Sequence, residues 1–176
     1  MEEKTVITYE GETYTRRKGK WVDAHNFVVH EGLQRDLNKE YAKQLDPTLL
    51  SLEACIEQGD KFKSSGSTGL ALKFYEVAVE KADSRAMAYI LPRITSCYRK
   101  SGRPQKAIDI LTYASKMFGR SMITPVLLTS AAAAYSDIED YERAKKCCDR
   151  AYAESNGMHS DELSLVYKRI KKATVE

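Results

Sequence analysis

Few side chains in this sequence combine the residue types and the spacing that catalysis or metal binding requires. His25 and His30 are five residues apart, which on a helix separates them by about 140° and keeps them off a shared metal ion. Cys147 and Cys148 are adjacent. Because neighbouring side chains on a helix diverge, packing explains these cysteines better than redox chemistry does. The pattern therefore predicts neither a catalytic residue nor a metal site.

The segment 64–69 reads Ser-Ser-Gly-Ser-Thr-Gly and superficially resembles a loop that cradles phosphate. It lacks the lysine that follows such a loop and the strand that precedes it, so we interpret it as a turn between two helices. The patterns G-x-S-x-G, H-E-x-x-H and C-x-x-C do not occur. The sequence therefore lacks common signatures of hydrolases, zinc proteases and redox proteins. We expect a protein that is not an enzyme and needs no cofactor.

A second group of side chains interleaves basic and aromatic character near the N-terminus. The group consists of Arg16, Arg17, Lys18, Lys20 and Trp21. Surfaces that bind nucleic acid often alternate in this way, but charged side chains also protect the exposed edge of a hairpin against aggregation. A regulatory module that contacts nucleic acid or a signalling peptide is therefore the alternative function, and the sequence favours it less.

The charge of the whole chain gives little support to polyanion binding. The 176 residues contain 28 Lys and Arg against 25 Asp and Glu, a net charge of +3, which is too small to attract nucleic acid by bulk charge. The four cysteines fall in apolar segments without the spacing of a disulfide framework. Residues 1–5 are charged rather than apolar and no run approaches about 18 apolar residues, so we expect neither a classical export signal nor a membrane span. We expect a cytoplasmic protein that does not enter the membrane.

The first 23 residues differ in character from the remainder. Segments in which β-branched and aromatic residues alternate with polar ones are separated by Gly-containing turns, which predicts a small β-hairpin or three-stranded meander over residues 1–23. Val6, Tyr14 and Trp21 are the expected apolar face of this meander. Because so small a sheet is marginal alone, that face must pack against something else.

The period then changes to that of a helix. Residues 24–46 place apolar side chains four apart, the stripe of a connecting amphipathic helix. Residues 47–174 read as helices only, and Asp46 followed by Pro47 is typical of a helix start. Pro92 lies inside a helical pattern, where it should kink the helix or delay its start.

Residues 47–174 contain a pattern of six positions that occurs three times. The first copy is Gly59, Phe62, Gly66, Ala71, Tyr75 and Ala78; the second is Thr95, Tyr98, Gly102, Ala107, Leu111 and Ala114; the third is Ala132, Tyr135, Glu139, Ala144, Cys148 and Ala151. Small residues let two antiparallel helices approach to about 8–10 Å, and a glycine between them permits the chain to reverse. Each hairpin leaves an apolar face exposed, so the three hairpins must stack.

This pattern resembles the tetratricopeptide repeat (TPR), and the segment 130–144, SAAAAYSDIEDYERA, is close to the core of that family. The resemblance covers about residues 49–156. It implies an all-α, TPR-like, right-handed stack of three helical hairpins, to which the small N-terminal β-hairpin or meander is attached. Apolar residues recur at helical spacing over residues 163–170, which predicts a C-terminal capping helix.

The resemblance also implies a concave groove lined by the first helix of each hairpin. At the matching positions we expect a peptide-binding surface that contains Asp60, Lys63, Tyr89, Arg93, Ser96, Arg99, Lys100 and Thr129. Tyr89 would anchor a bound segment, and the basic residues would favour carboxylates; an ordinary solvated surface is the other interpretation. The predicted function is an adaptor or scaffold for a protein or peptide partner of unknown identity, with homodimer formation through the N-terminal hairpin as a further possibility.

Overall fold

The computed structural model describes residues 5–158 and 160–173. The chain divides between Asp46 and Pro47 into two compact units. The elements of the first unit are β1 (Val6–Tyr9), β2 (Glu12–Arg17), β3 (Lys20–Val22) and α1 (Glu31–Gln44). The helices of the second unit are α2 (Leu52–Ser64), α3 (Thr68–Lys81), α4 (Ser84–Lys100), α5 (Pro104–Phe118), α6 (Pro125–Asp137), α7 (Tyr141–Glu154) and α8 (Asp161–Ala173).

In the first unit, an antiparallel meander of order β1-β2-β3 packs on α1. Trp21 is fully buried in this layer, and its Nε1 donates to Asn38 Oδ1 at 3.0 Å. Gln34 of α1 bonds to both the backbone nitrogen and the carbonyl oxygen of Trp21, at 2.9 and 2.7 Å. The expectation for Val6 was wrong. It is 47% exposed, whereas Ile7 is 3% exposed and faces the helix, so the buried face of β1 is displaced by one residue.

The strands of the meander are joined by two-residue turns in the left-handed region. Glu10 and Gly11 have φ values of 52° and 85°, and Lys18 and Gly19 have φ values of 46° and 78°. Positive φ at both central positions is the signature of the type I′ turn, whose twist matches that of the flanking strands. These turns fix the register of the meander.

The second unit consists of three helical hairpins and a final helix. The pairs are α2 with α3, α4 with α5 and α6 with α7, and α8 packs on both α6 and α7. The small residues of the repeat lie at these contacts: Gly59, Ala71, Ala107, Ala132 and Ala144 are all buried. The predicted stack of three hairpins with a capping helix is confirmed.

One sequence prediction about a helix start was wrong. Pro47 belongs to a 3₁₀ turn, Pro47–Leu49, and α2 begins only after Ser51, whose hydroxyl accepts from the Ala54 nitrogen at 3.2 Å. Pro92 lies inside α4, which runs from Ser84 to Lys100, so it does not delay the start of that helix, and the kink stays a prediction. Because Asp83 caps this helix and Ile90, Leu91 and Ile94 are fully buried, packing outweighs the hydrogen bond that a proline cannot donate.

The turn of the third hairpin carries backbone strain that the other two avoid. Gly66 and Gly102 have φ values of 75° and 70°, and Glu139 occupies the same repeat position with a φ of 62°. We expect Glu139→Gly to raise the free energy of unfolding by about 1 kcal/mol, because glycine adopts this conformation without steric cost. Urea denaturation of the full chain measures the change.

Glu57→Gly is the matched control for this substitution. Glu57 is an exposed residue in the interior of α2, where glycine should lower the free energy of unfolding by about 1 kcal/mol. If both substitutions lowered it, Glu139 would not be a strained position.

Candidate functional site

The first helices of the hairpins and the final helix lie side by side in the order α2, α4, α6, α8. We call their common surface the first-helix face. On it α4 carries a stripe of residues, Tyr89, Arg93, Ser96 and Lys100, at successive spacings of four, three and four. Charged side chains cross-link neighbouring helices at two points of this face.

At the first point, the Asp60 carboxylate of α2 accepts three hydrogen bonds. Its Oδ1 accepts from the Tyr75 hydroxyl at 2.5 Å and from Arg93 Nε at 3.0 Å, and its Oδ2 accepts from the Tyr89 hydroxyl at 2.8 Å. The Arg93 guanidinium also stacks on the Tyr89 ring, 3.5 Å from its centroid. One carboxylate therefore holds α2, α3 and α4 together.

These hydrogen bonds decide the protonation state of Asp60. Burial alone would raise its pKa, but the bonds from Tyr75, Tyr89 and Arg93, with the positive charge of Arg93, hold the pKa below its usual value. Burial, and then the bond to Asp60, raises the pKa of the Tyr75 hydroxyl. At neutral pH a carboxylate is thus bonded to two neutral phenols and one guanidinium.

At the second point, Arg99 of α4 joins α6 to α8. Its Nε donates to Asp137 Oδ2 at 2.6 Å and its Nη1 to Glu162 Oε1 at 2.7 Å, and the Arg99 side chain is only 17% exposed. Arg169 donates to the other oxygen of Asp137 at 2.8 Å. In this network each arginine has an acidic partner.

Their place in the sequence suggests that Arg93 and Arg99 bind the carboxylate of a ligand. In the structure neither guanidinium is free to do so. Each is paired with a carboxylate of the chain itself, 33 and 38 residues away respectively. The Tyr89 hydroxyl is also engaged, although the residue remains 44% exposed. The one sequence signal for these pairs is their separation, which is close to the 36 and 37 residues between successive repeats.

Lys63, in the last turn of α2, and Lys100, the last residue of α4, make no ion pair with any residue in 5–158 or 160–173. Burial raises the pKa of the Cys97 thiol, and both lysines lie close enough to oppose that rise. The charges of Lys63 and Lys100 thus act on the same thiol from the C-terminal ends of adjacent helices. Ser96 lies one turn before Lys100 on the same side of α4.

Thr129 does not present a polar group on the surface of α6. It is 7% exposed, and its hydroxyl donates to the Pro125 carbonyl oxygen at 2.8 Å, a bond that satisfies it within its own helix. Thr129 instead forms part of the wall of a cleft between α6, α7 and α8.

In the structure, Trp21 does not lie on the surface with the basic residues near the N-terminus. Trp21 is fully buried, and the Arg16 guanidinium lies over the Tyr41 ring, 5.3 Å from its centroid. Arg17, Lys18 and Lys20 remain exposed at the end of β2 and the start of β3. Surfaces that stack on bases need an accessible aromatic ring, and Trp21 does not supply one.

The cysteines are packing residues in the folded chain. Cys55, Cys97 and Cys148 are buried, Cys147 is partly buried, and all four are free thiols. Burial raises the pKa of each, that of Cys148 to about 12. Because the thiolate is the reactive form, the raised pKa favours the neutral, less reactive thiol in the folded chain.

Neither a metal centre nor a membrane span is found in the part of the chain that the structure describes. Within that part, no group of three His, Cys, Asp or Glu side chains could hold a metal ion. None of its helices is both long enough and apolar enough to cross a bilayer.

Comparison with known proteins identifies the fold. The structure of the Sgt2 TPR domain from Aspergillus fumigatus matches with a TM-score of 0.61 and 18% identity, over 71% of this chain and 80% of that one. The C-terminal TPR-containing domain of an FK506-binding protein from Plasmodium falciparum matches with a TM-score of 0.57 and 18% identity, over 77% and 99% of the two chains. No protein-family model and no curated protein matches the sequence. In its fold, the chain is a TPR-like helical-repeat protein.

Proposed function

We propose that the first-helix face binds an extended acidic segment of a partner protein, and that the chain acts as an adaptor or scaffold module. The observation that supports this most directly is that Lys63 and Lys100, at the C-terminal ends of adjacent helices, make no ion pair within the described residues. A cation without an acidic partner attracts an anionic group. A ligand carboxylate that reaches either lysine gains a charge-assisted hydrogen bond.

Tyr89 provides the apolar contact at the opposite end of the α4 stripe. Its hydroxyl is fixed by Asp60 and its ring by the Arg93 guanidinium, so little entropy is lost when a ligand packs on it. Between Tyr89 and Lys100 the helix rises by about 16 Å, the span of about five residues of extended peptide. The segment that fits presents an apolar group and a carboxylate about that far apart.

The remaining residues of the predicted groove have supporting roles in this proposal. Asp60, Arg93 and Arg99 are positioning residues, because their charges are already neutralised within the chain. Ser96 lies between the aromatic and the basic ends of the stripe, where its hydroxyl can hydrogen-bond to the backbone of the bound segment.

Charge reversal at the two lysines tests the proposal. We expect Lys63→Glu/Lys100→Glu to weaken binding of a pool of acidic octapeptides by about 10- to 100-fold, since two attractive charges become repulsive. Fluorescence polarisation measures the dissociation constant, and binding to the wild-type chain should also weaken as salt is added.

Lys106→Glu/Lys116→Glu is the matched control, because both residues are exposed on α5, outside the first-helix face. It carries the same change in net charge and should bind the acidic pool within about twofold of the wild type. Equal losses in the two double variants would mean that bulk charge, and not this face, attracts the peptides.

A further inference from the structure

We infer that the groove between α3 and α5 binds an arginine side chain of a partner protein. Ile94 and Tyr98 of α4 line this groove, and both lie about 140–180° around that helix from Tyr89. The groove is therefore on the other side of α4 from the first-helix face. The inference does not rest on the proposed function, and it adds a second interaction surface for a partner of opposite charge.

The groove consists of two adjoining cavities with apolar and aromatic walls. Their volumes are about 300 and 310 Å³, and both are lined by Tyr98, Ile110 and Tyr113. Ile94 and Tyr98 are buried and form the floor, while Val79 of α3 and Ile110 of α5 are partly exposed along the walls. An arginine buries its alkyl stem against such a surface and keeps its charged head at the rim.

The charged residues that line the groove favour a cationic ligand. Glu76 and Glu80 of α3 and Asp109 of α5 are exposed at its rim, together with Lys106. None of the three carboxylates forms an ion pair with a residue in 5–158 or 160–173. The whole chain has a net charge of +3, so the excess of negative charge is local to the groove. A positively charged group is its complement.

The Glu76 carboxylate is oriented before any ligand arrives. The Tyr98 hydroxyl donates to Glu76 Oε1 at 2.9 Å, and Tyr98 itself is buried. Among the described residues no group donates to Glu76 Oε2, so this oxygen can accept from a guanidinium. Fixing one carboxylate in advance lowers the entropy that binding costs.

Tyr113 favours arginine over lysine. Its side chain is 46% exposed, and no cation of residues 5–158 and 160–173 stacks on its ring. On the first-helix face, Arg93 stacks on Tyr89 at 3.5 Å and donates to Asp60 at 3.0 Å. A planar guanidinium makes both contacts at once, whereas an ammonium is a compact point charge. The groove offers a tyrosine and carboxylates to an arginine that the partner supplies.

Three pools of octapeptides and three variants of the full chain test the inference. Each pool contains Leu and Ser together with arginine, lysine or citrulline, which has nearly the shape of arginine but no charge. Glu76→Gln/Glu80→Gln removes two carboxylates of the groove, and Tyr113→Leu removes the aromatic ring. Glu53→Gln/Glu57→Gln is the matched control, because it makes the same change in net charge at two exposed residues of α2. Circular dichroism checks the fold, and fluorescence polarisation measures the dissociation constants.

We expect the wild-type chain to bind the arginine pool about tenfold more tightly than the citrulline pool, and more tightly than the lysine pool. Glu76→Gln/Glu80→Gln should weaken binding of the arginine pool about tenfold and Tyr113→Leu about threefold, whereas the control should stay within about twofold. Equal binding of the arginine and citrulline pools, equal losses in the two double variants, or a preference for lysine would overturn the inference. So would unaltered binding to Tyr113→Leu.

The two proposals can fail separately. Acidic octapeptides, which test the first-helix face, should bind Glu76→Gln/Glu80→Gln no more than about twofold differently from the wild type, because the groove is on the other side of α4. A loss of acidic binding in this variant that equals its loss of arginine binding would show that the two surfaces are not distinct, and would overturn the groove as a separate site.

Discussion

Gly59→Ala is expected to lower the free energy of unfolding by about 2–3 kcal/mol, the upper part of the range for overpacked cores. A Cβ at this position would lie 2.5 Å from Tyr75 Cε1 and 2.6 Å from Tyr75 Cδ1. The Tyr75 ring cannot move aside, because it is fully buried and its hydroxyl is bonded to Asp60. The α2–α3 contact must therefore open. Urea denaturation of the full chain, followed by circular dichroism, measures the loss.

Gly69→Ala separates this contact from the general preference of helices for alanine. Gly69 lies in α3, and a Cβ there would meet no atom within 4 Å. Alanine should therefore stabilise the chain by about 0.5 kcal/mol through helix propensity alone. We therefore expect Gly59→Ala to lower the free energy of unfolding and Gly69→Ala to raise it. If both substitutions raised it, the close approach of α2 and α3 would be contradicted.

Asp60→Asn is expected to lower the free energy of unfolding by about 2 kcal/mol at pH 7, because three donors lose a charged acceptor. The loss should be smaller than that for a fully buried ion pair, since the Asp60 side chain is 34% exposed. Glu57→Gln on the same helix is the control. Glu57 is exposed, and its substitution should change stability by less than about 0.5 kcal/mol.

The effect of Asp60→Asn should also depend on pH in a defined direction. The folded pKa of Asp60 lies below its unfolded value, so the carboxylate stabilises the folded chain above the unfolded pKa of about 4. This contribution is lost as the pH falls through the folded pKa. The stability curves of wild type and variant should therefore converge in acid, and a constant difference between pH 7 and pH 3 would show that Asp60 does not act through its charge.

The architecture of the helical unit could be predicted because its determinants repeat. Close contact at Gly59, Ala71 and Ala144 requires small residues at fixed offsets, and those offsets recur in the sequence. Trp21 was harder to place, because a large aromatic residue among lysines and arginines fits both a surface patch and a buried core. The bonds to Gln34 and Asn38 that bury it involve residues 13 and 17 positions away, which no local pattern reveals.

The candidate site could be predicted only in part, because a surface position does not determine whether its charge is already paired. The repeat implied that Arg93 and Arg99 lie on the first-helix face. Their pairing with Asp60 and Asp137 depends on side chains of neighbouring helices. The spacing of opposite charges by about one repeat is a signal that could have revealed these pairs. Lys63 and Lys100 are also about one repeat apart, at 37 residues, but both are positively charged.

The buried cysteines give the helical unit a set of intrinsic chemical reporters. Cys55 lies in the first hairpin, Cys97 in the second and Cys148 in the third, and all three thiols are buried. A thiol reagent can therefore modify a given cysteine only when the packing around it opens, and stacked repeats open in part as well as all together. The order in which the three cysteines are modified is the order in which the stack comes apart.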